Sequence, residues 1–169
     1  MPTPVDRTSA SQSAAAAEMK CEIDSAVSFL TTILRAGSAA GHHGLSADQL
    51  AAFRRCLETT LVSRYRDHWF PDRPQRGSAY RCVRIVNRKL DRLLASAATA
   101  AGVPEPLLER LLPTELTLWV DPDEVSGGWP APFICLHPQA TADWLARLFF
   151  WRLAMCITGW LWQQCNMAG

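Results

Sequence analysis

The residues of this chain that could do chemistry are scattered. Histidines stand at 42, 43, 68 and 137, none at ligand spacing from a cysteine or carboxylate, so no metal site is expected. Six cysteines, at 21, 56, 82, 135, 156 and 165, form no C-x-x-C pair. There is no glycine-rich phosphate loop, nucleophile elbow or paired-carboxylate constellation. Neither catalysis nor a cofactor is implied. What remains is recognition chemistry, concentrated in Tyr65–Ile85 (YRDHWFPDRPQRGSAYRCVRI) and Leu111–Ser126 (LLPTELTLWVDPDEVS).

Each block holds a strand-like run, expected over Tyr80–Val86 and Glu115–Asp121, beside turn residues. Side chains alternate across a strand. In the second run Leu116, Leu118 and Val120 form the natural core face, which turns Thr117, Trp119 and Asp121 outward. In the first, Val83 and Ile85 point inward and Tyr80, Cys82 and Arg84 lie opposite. If the strands pair, Tyr80, Trp119 and Asp121 share one patch. Trp and Tyr are the residue types that most often dominate interface energy. The pattern alone also allows a helix to cover this face and make Trp119 core.

The elements that must position these residues follow from periodicity. Ile23, Val27, Leu30 and Leu34, with Phe29 and Ile33, mark one face of a helix over Glu22–Arg35. Gly37, Gly41 and Gly44 are expected to end it. Ser46 and Gln49 form a capping box for a second helix, with Leu50, Phe53, Leu57, Leu61 and Tyr65 inward and the run continuing towards Trp69. Cys56 and Cys82 read as packing residues and His68 as part of the packing around Trp69. A third helix is expected over Lys89–Ala101, stopped by Gly102. A fourth is opened by Pro104 and Pro106 and closed by Pro113. L-x-x-L-L patterns at 90–94 and 108–112 match the nuclear-receptor docking pattern and leave a transcriptional-cofactor role as an alternative, but they read first as core leucine.

The 169 residues suit one domain with a real core. Net charge is +1, but Arg64–Arg92 holds nine basic and three acidic residues, and Glu105–Glu124 six acidic and one basic. Such a dipolar surface orients a partner, or is simply two solvated faces. Direct nucleic-acid binding through 64–92 is the alternative to a protein partner. Residues 1–20 have no secretory pattern and read as a flexible tail, so the cysteines are expected reduced, in cytoplasm or nucleus.

HWFPDRPQRGSAYRCVRI and LLPTELTLWVDPDEVS resemble boxes A and B of the BTG/Tob antiproliferative proteins, closest to the short BTG members. The likeness extends over about residues 22–126. It implies an α/β (α+β) fold, a single compact domain over 21–138 with helices packed on a small antiparallel sheet, box A about 65–85 and box B about 111–126. It further implies a non-enzymatic adaptor that binds the Caf-type catalytic subunit of the Ccr–Not deadenylase through Tyr80, Trp119 and Asp121, promoting mRNA deadenylation and restraining proliferation.

The chain departs from that family in three places. It has an extra residue around Val86–Asn87, and Arg92 stands where relatives carry proline. After Ser126, GGWPAPFICLHP replaces the hairpin that completes the sheet, with Phe133–Leu136 available as a replacement strand. The segment with which shorter relatives engage poly(A)-binding protein has no match, which leaves that partner unsupported. Residues 139–169 carry four of the seven tryptophans, with Trp129 just before them a fifth, and only Asp143, Arg147 and Arg152 as charges. Three readings are open: a loose tail, a helix covering bare sheet, or a membrane segment. Two mid-segment arginines argue against the last, and membrane association is not expected.

Overall fold

The structure is a computed structural model. It describes residues 17, 19–39, 44–128 and the backbone of 134–136. Residues 139–169, most of 1–20, residues 40–43 and the side chains of Cys135, Cys156, Cys165, His42, His43 and His137 lie outside those residues.

Among the described residues, four helices and four strands follow the order α1 (Lys20–Ala39), α2 (Ala47–Tyr65), β1 (Cys82–Ile85), α3 (Arg92–Ala100), α4 (Glu105–Leu111), β2 (Leu116–Asp121), β3 (Glu124–Gly128) and β4 (Ile134–Leu136). Short 3-10 turns at Arg66–His68 and Ser78–Tyr80 bracket the loop between α2 and β1. The sheet is antiparallel in the order β1-β2-β3-β4. The expected α+β architecture, helices packed on a small antiparallel sheet, is what the chain adopts.

The apolar stripe of α1 explains its central place. Ile23, Val27, Phe29, Leu30, Ile33 and Leu34 are all buried. The helix packs on β2 and β3, and on α2 and α4. Burying each such side chain contributes about 1.5–3 kcal/mol. Met19, placed by sequence in the tail, is fully buried, and its carbonyl accepts from the Ile23 amide. The Ser46–Gln49 capping box forms as expected and starts α2.

Several boundaries differ from expectation for physical reasons. Gly37 does not end α1; the helix runs through it to Ala39. A Cβ there would lie 2.8 Å from the Leu111 carbonyl oxygen, so the glycine serves the close crossing of α1 over the end of α4. α2 stops at Tyr65 instead of running on to Trp69, where the 3-10 turn takes over. α3 starts later than Lys89, because Asp91 caps it through the Leu93 amide at 2.9 Å. The chain around Val86, where an extra residue is expected, makes a tight turn. Val86 and Lys89 bridge it, and Asn87 and Arg88 take φ of 52° and 67°.

The stretch after Ser126 completes the sheet. β3 runs through Gly127, where a Cβ would stand 2.9 Å from Leu118 Cδ1, and β4 pairs along it. The replacement strand expected at Phe133–Leu136 is thus seen over Ile134–Leu136. The leucines of both L-x-x-L-L patterns are buried at 93, 94, 108 and 112. Among the described residues no helix is long and apolar enough to cross a membrane.

Gly37→Ala should lower the melting temperature. Helix propensity alone would favour alanine by about 1 kcal/mol. The backbone contact with Leu111 reverses the sign, because a carbonyl cannot turn aside as a flexible side chain can. Thermal unfolding followed by circular dichroism checks this; a raised midpoint would refute the packing role.

Candidate partner-docking face

The inner face of the strand pair is as the alternation dictates: Val83, Ile85, Leu116, Leu118 and Val120 are buried. β1 and β2 pair with Cys82 opposite Trp119 and Arg84 opposite Thr117. Across β3, Trp119 stands opposite Ser126. Thr117, Trp119 and Asp121 therefore share the outer face, and all three are half-buried. Cys82 is half-buried beside Trp119, and burial pushes its thiol up, away from the reactive thiolate.

Tyr80 departs from expectation in its local structure. It lies in the 3-10 turn before β1, not on the strand. It is nonetheless the most open large aromatic among the described residues, at 55% exposure. Its ring stacks on His68, with centroids 3.8 Å apart and planes 2° from parallel. His68 was expected in the packing around Trp69; its ring instead backs the exposed tyrosine. Arg64 Nε donates to the Tyr80 carbonyl at 3.0 Å, and Arg64 also approaches Asp91 at 3.8 Å.

Beneath this surface lies a residue that the pattern of outward aromatics does not reveal. Arg81 has no exposure at all. Its Nε donates to the Val120 carbonyl and to Asp121 Oδ1, both at 3.0 Å. Its terminal nitrogens donate to the carbonyls of His68, Arg76 and Pro74, and to Asp121 Oδ1 at 2.6 Å. All five N–H donors are used. Asp121 Oδ2 accepts from Ser78 Oγ at 3.2 Å. Both carboxylate oxygens are thus bonded within the protein. The alternation offered a signal: Arg81 shares its side of the chain with Val83 and Ile85. An inward arginine needs a carboxylate, and Asp121 is at hand.

Nearby groups lock the same corner. The buried Tyr65 hydroxyl donates to the Arg81 carbonyl at 3.0 Å. Gly77, at φ 80°, lets the loop pass so close that a Cβ would lie 2.9 Å from the His68 carbonyl oxygen and 3.1 Å from Arg81 Nη1. Past Asp121, the buried Glu22 carboxylate accepts from the Asp123 amide at 3.1 Å and pins the β2–β3 turn. Among the described residues no cluster of His, Cys, Asp and Glu could hold a metal.

The profile of the BTG family matches residues 19–128, the span that contains both strands, the loop and all four helices. The chain belongs to the BTG family. Rat protein BTG2 is 46% identical over 109 residues, covering 64% of this chain and 65% of that protein. Human protein BTG1 is 48% identical over 112 residues, covering 66% of this chain and 61% of that protein. The chain thus spans less than two thirds of these curated relatives. The solved C. elegans FOG-3 BTG/Tob domain superposes with a TM-score of 0.57 at 25% identity, covering 69% of this chain and 87% of that domain. Both boxes read from the sequence, 65–85 and 111–126, fall within the BTG match.

Removing the Arg81 guanidinium leaves Asp121 unpaired and three loop carbonyls without donors. Arg81→Met should cost about 3–5 kcal/mol in urea unfolding, as breaking a buried pair does. A loss below about 1 kcal/mol would refute its central role.

Burial pushes the Tyr65 phenol above its ordinary value of about 10. The folded state favours the neutral form, so this contribution to stability is full below about pH 10 and is lost as pH rises beyond it. Tyr65 is the sole tyrosine in a Tyr80→Phe variant. Its tyrosinate absorbance should appear with alkaline unfolding, and earlier ionisation in the folded state would contradict the burial.

Proposed function

We propose that this BTG-family chain is a non-enzymatic antiproliferative adaptor. It docks the Caf-type catalytic subunit of the Ccr–Not deadenylase, raising the local concentration of nuclease on chosen transcripts, in cytoplasm and nucleus. The observation that carries this reading is the exposed Tyr80 ring, held against His68 at the end of the strand pair that presents Trp119. Rigid aromatics lose little conformational entropy on binding, which suits them as anchors. The resemblance of the two blocks to boxes A and B supports this choice of partner. A basic nucleic-acid surface over 64–92 is less favoured, because Arg81 lies wholly inside and Arg64 is tied to the Tyr80 carbonyl and Asp91.

Tyr80→Ala and Trp119→Ala should each weaken binding to the purified deadenylase subunit by about 2–4 kcal/mol. Titration calorimetry at two salt concentrations measures this. Affinity should fall only mildly with salt, whereas phosphate-driven RNA binding would fall steeply and survive Trp119→Ala. Unchanged affinity in both variants would refute the docking reading.

A further inference from the structure

One ion pair holds both rings of the exposed stack. The Arg81 guanidinium grips the carbonyl of His68, which carries the inner ring. Asp121 grips Arg81 and, through its second oxygen, Ser78 in the turn that carries the outer ring, Tyr80. The chain between the rings is closed by Gly77, whose left-handed backbone is packed on the same His68 carbonyl and the same guanidinium. Asp121 keeps 21% of its side chain exposed, while Arg81 keeps none. The carboxylate is already spent on the interior of the protein.

We propose that Asp121 serves docking from within. It is a positioning residue that fixes the Tyr80–His68 stack, and its negative charge is not what the partner reads. This rests on the docking reading and deepens it. A carboxylate that met the partner directly would have to release Arg81 or Ser78, leaving a buried guanidinium short of its counter-charge. The cation most exposed on the outer strand face, Arg84, then sets the sign of the charge that β1 offers beside Trp119.

Substitutions at Asp121 separate position from charge. Asparagine keeps an oxygen for Arg81 and a polar group for Ser78; losing the counter-charge of Arg81 lowers stability, so the stack and the affinity are both read at a temperature where circular dichroism shows the variant folded. Alanine removes both links. Affinity for the purified catalytic deadenylase subunit is one readout. The second is the upfield shift of the His68 ring protons in proton NMR, which reports the Tyr80 ring stacked on them.

Asp121→Asn should keep the shift and bind within about 3-fold of the parent. Asp121→Ala should lose the shift and bind about 10-fold or more weakly, and in a Tyr80→Ala background it should add less than about 3-fold, because both act through one ring. A 10-fold loss in Asp121→Asn with the shift intact would overturn the proposal. So would full multiplication of the Asp121→Ala and Tyr80→Ala losses. If Asp121→Ala does not fold, Asp121→Asn decides alone. Parent affinity in both Tyr80→Ala and Trp119→Ala overturns the docking reading instead, and the His68 shift then still decides whether Asp121 holds the ring.

Discussion

A guanidinium cannot be left alone in a protein interior, and the loop between α2 and β1 is shaped by that fact. Arg81 is fully buried, and its guanidinium carries five N–H donors and no acceptor. Its cost of dehydration is met only if every N–H finds an acceptor and a carboxylate stands close. Three of the acceptors are carbonyls of the loop itself, at His68, Pro74 and Arg76. The loop has little secondary structure of its own, so its path is dictated by where those carbonyls must point. Asp121 and the Val120 carbonyl then fasten the assembly to the end of β2.

On the proposed docking role, this constraint links stability to recognition. Binding sites on loops are adaptable but costly, since the loop must be ordered when the partner arrives. Here the ordering is done in advance by folding. Arg81 ties the 68–80 segment to the sheet, Tyr65 reaches across from α2 to the Arg81 carbonyl, and Arg64 fixes the Tyr80 carbonyl. The exposed ring therefore stands on a rigid base although its own residue is in a short 3-10 turn. Trp119, two residues before Asp121 on β2, is placed by the strand ladder itself. The two aromatics are placed by different means, Trp119 by sheet register and Tyr80 by a buried ion pair.

Much of the fold was legible because helix and strand periods are local properties. The faces of α1 and α2, the capping box at Ser46, the stop at Gly102 and the core face of β2 all follow from residue spacing. Misplaced boundaries have tertiary causes. Gly37 looks like a helix end, and only the crossing with Leu111 turns it into a packing position inside the helix. Gly127 and Gly128 have poor strand character, yet they extend β3, where the missing Cβ admits Leu118. Tyr80 reads as a strand residue because alternation continues through it, but Gly77 and the grip on Ser78 bend the backbone first.

By itself the sequence determined the element types, the inward faces and the side of β2 on which Trp119 lies, since each rests on spacing within a few residues. The two blocks also carried the family likeness, because uncommon residues in long runs identify relatives without any structure. Only the tertiary structure decided what Asp121 does. Its position on the outer face follows from period two, but its partner is 40 residues away in the chain. A long-range pair between a buried cation and a half-buried carboxylate leaves no local pattern, because the field that joins them exists only once the core has excluded water.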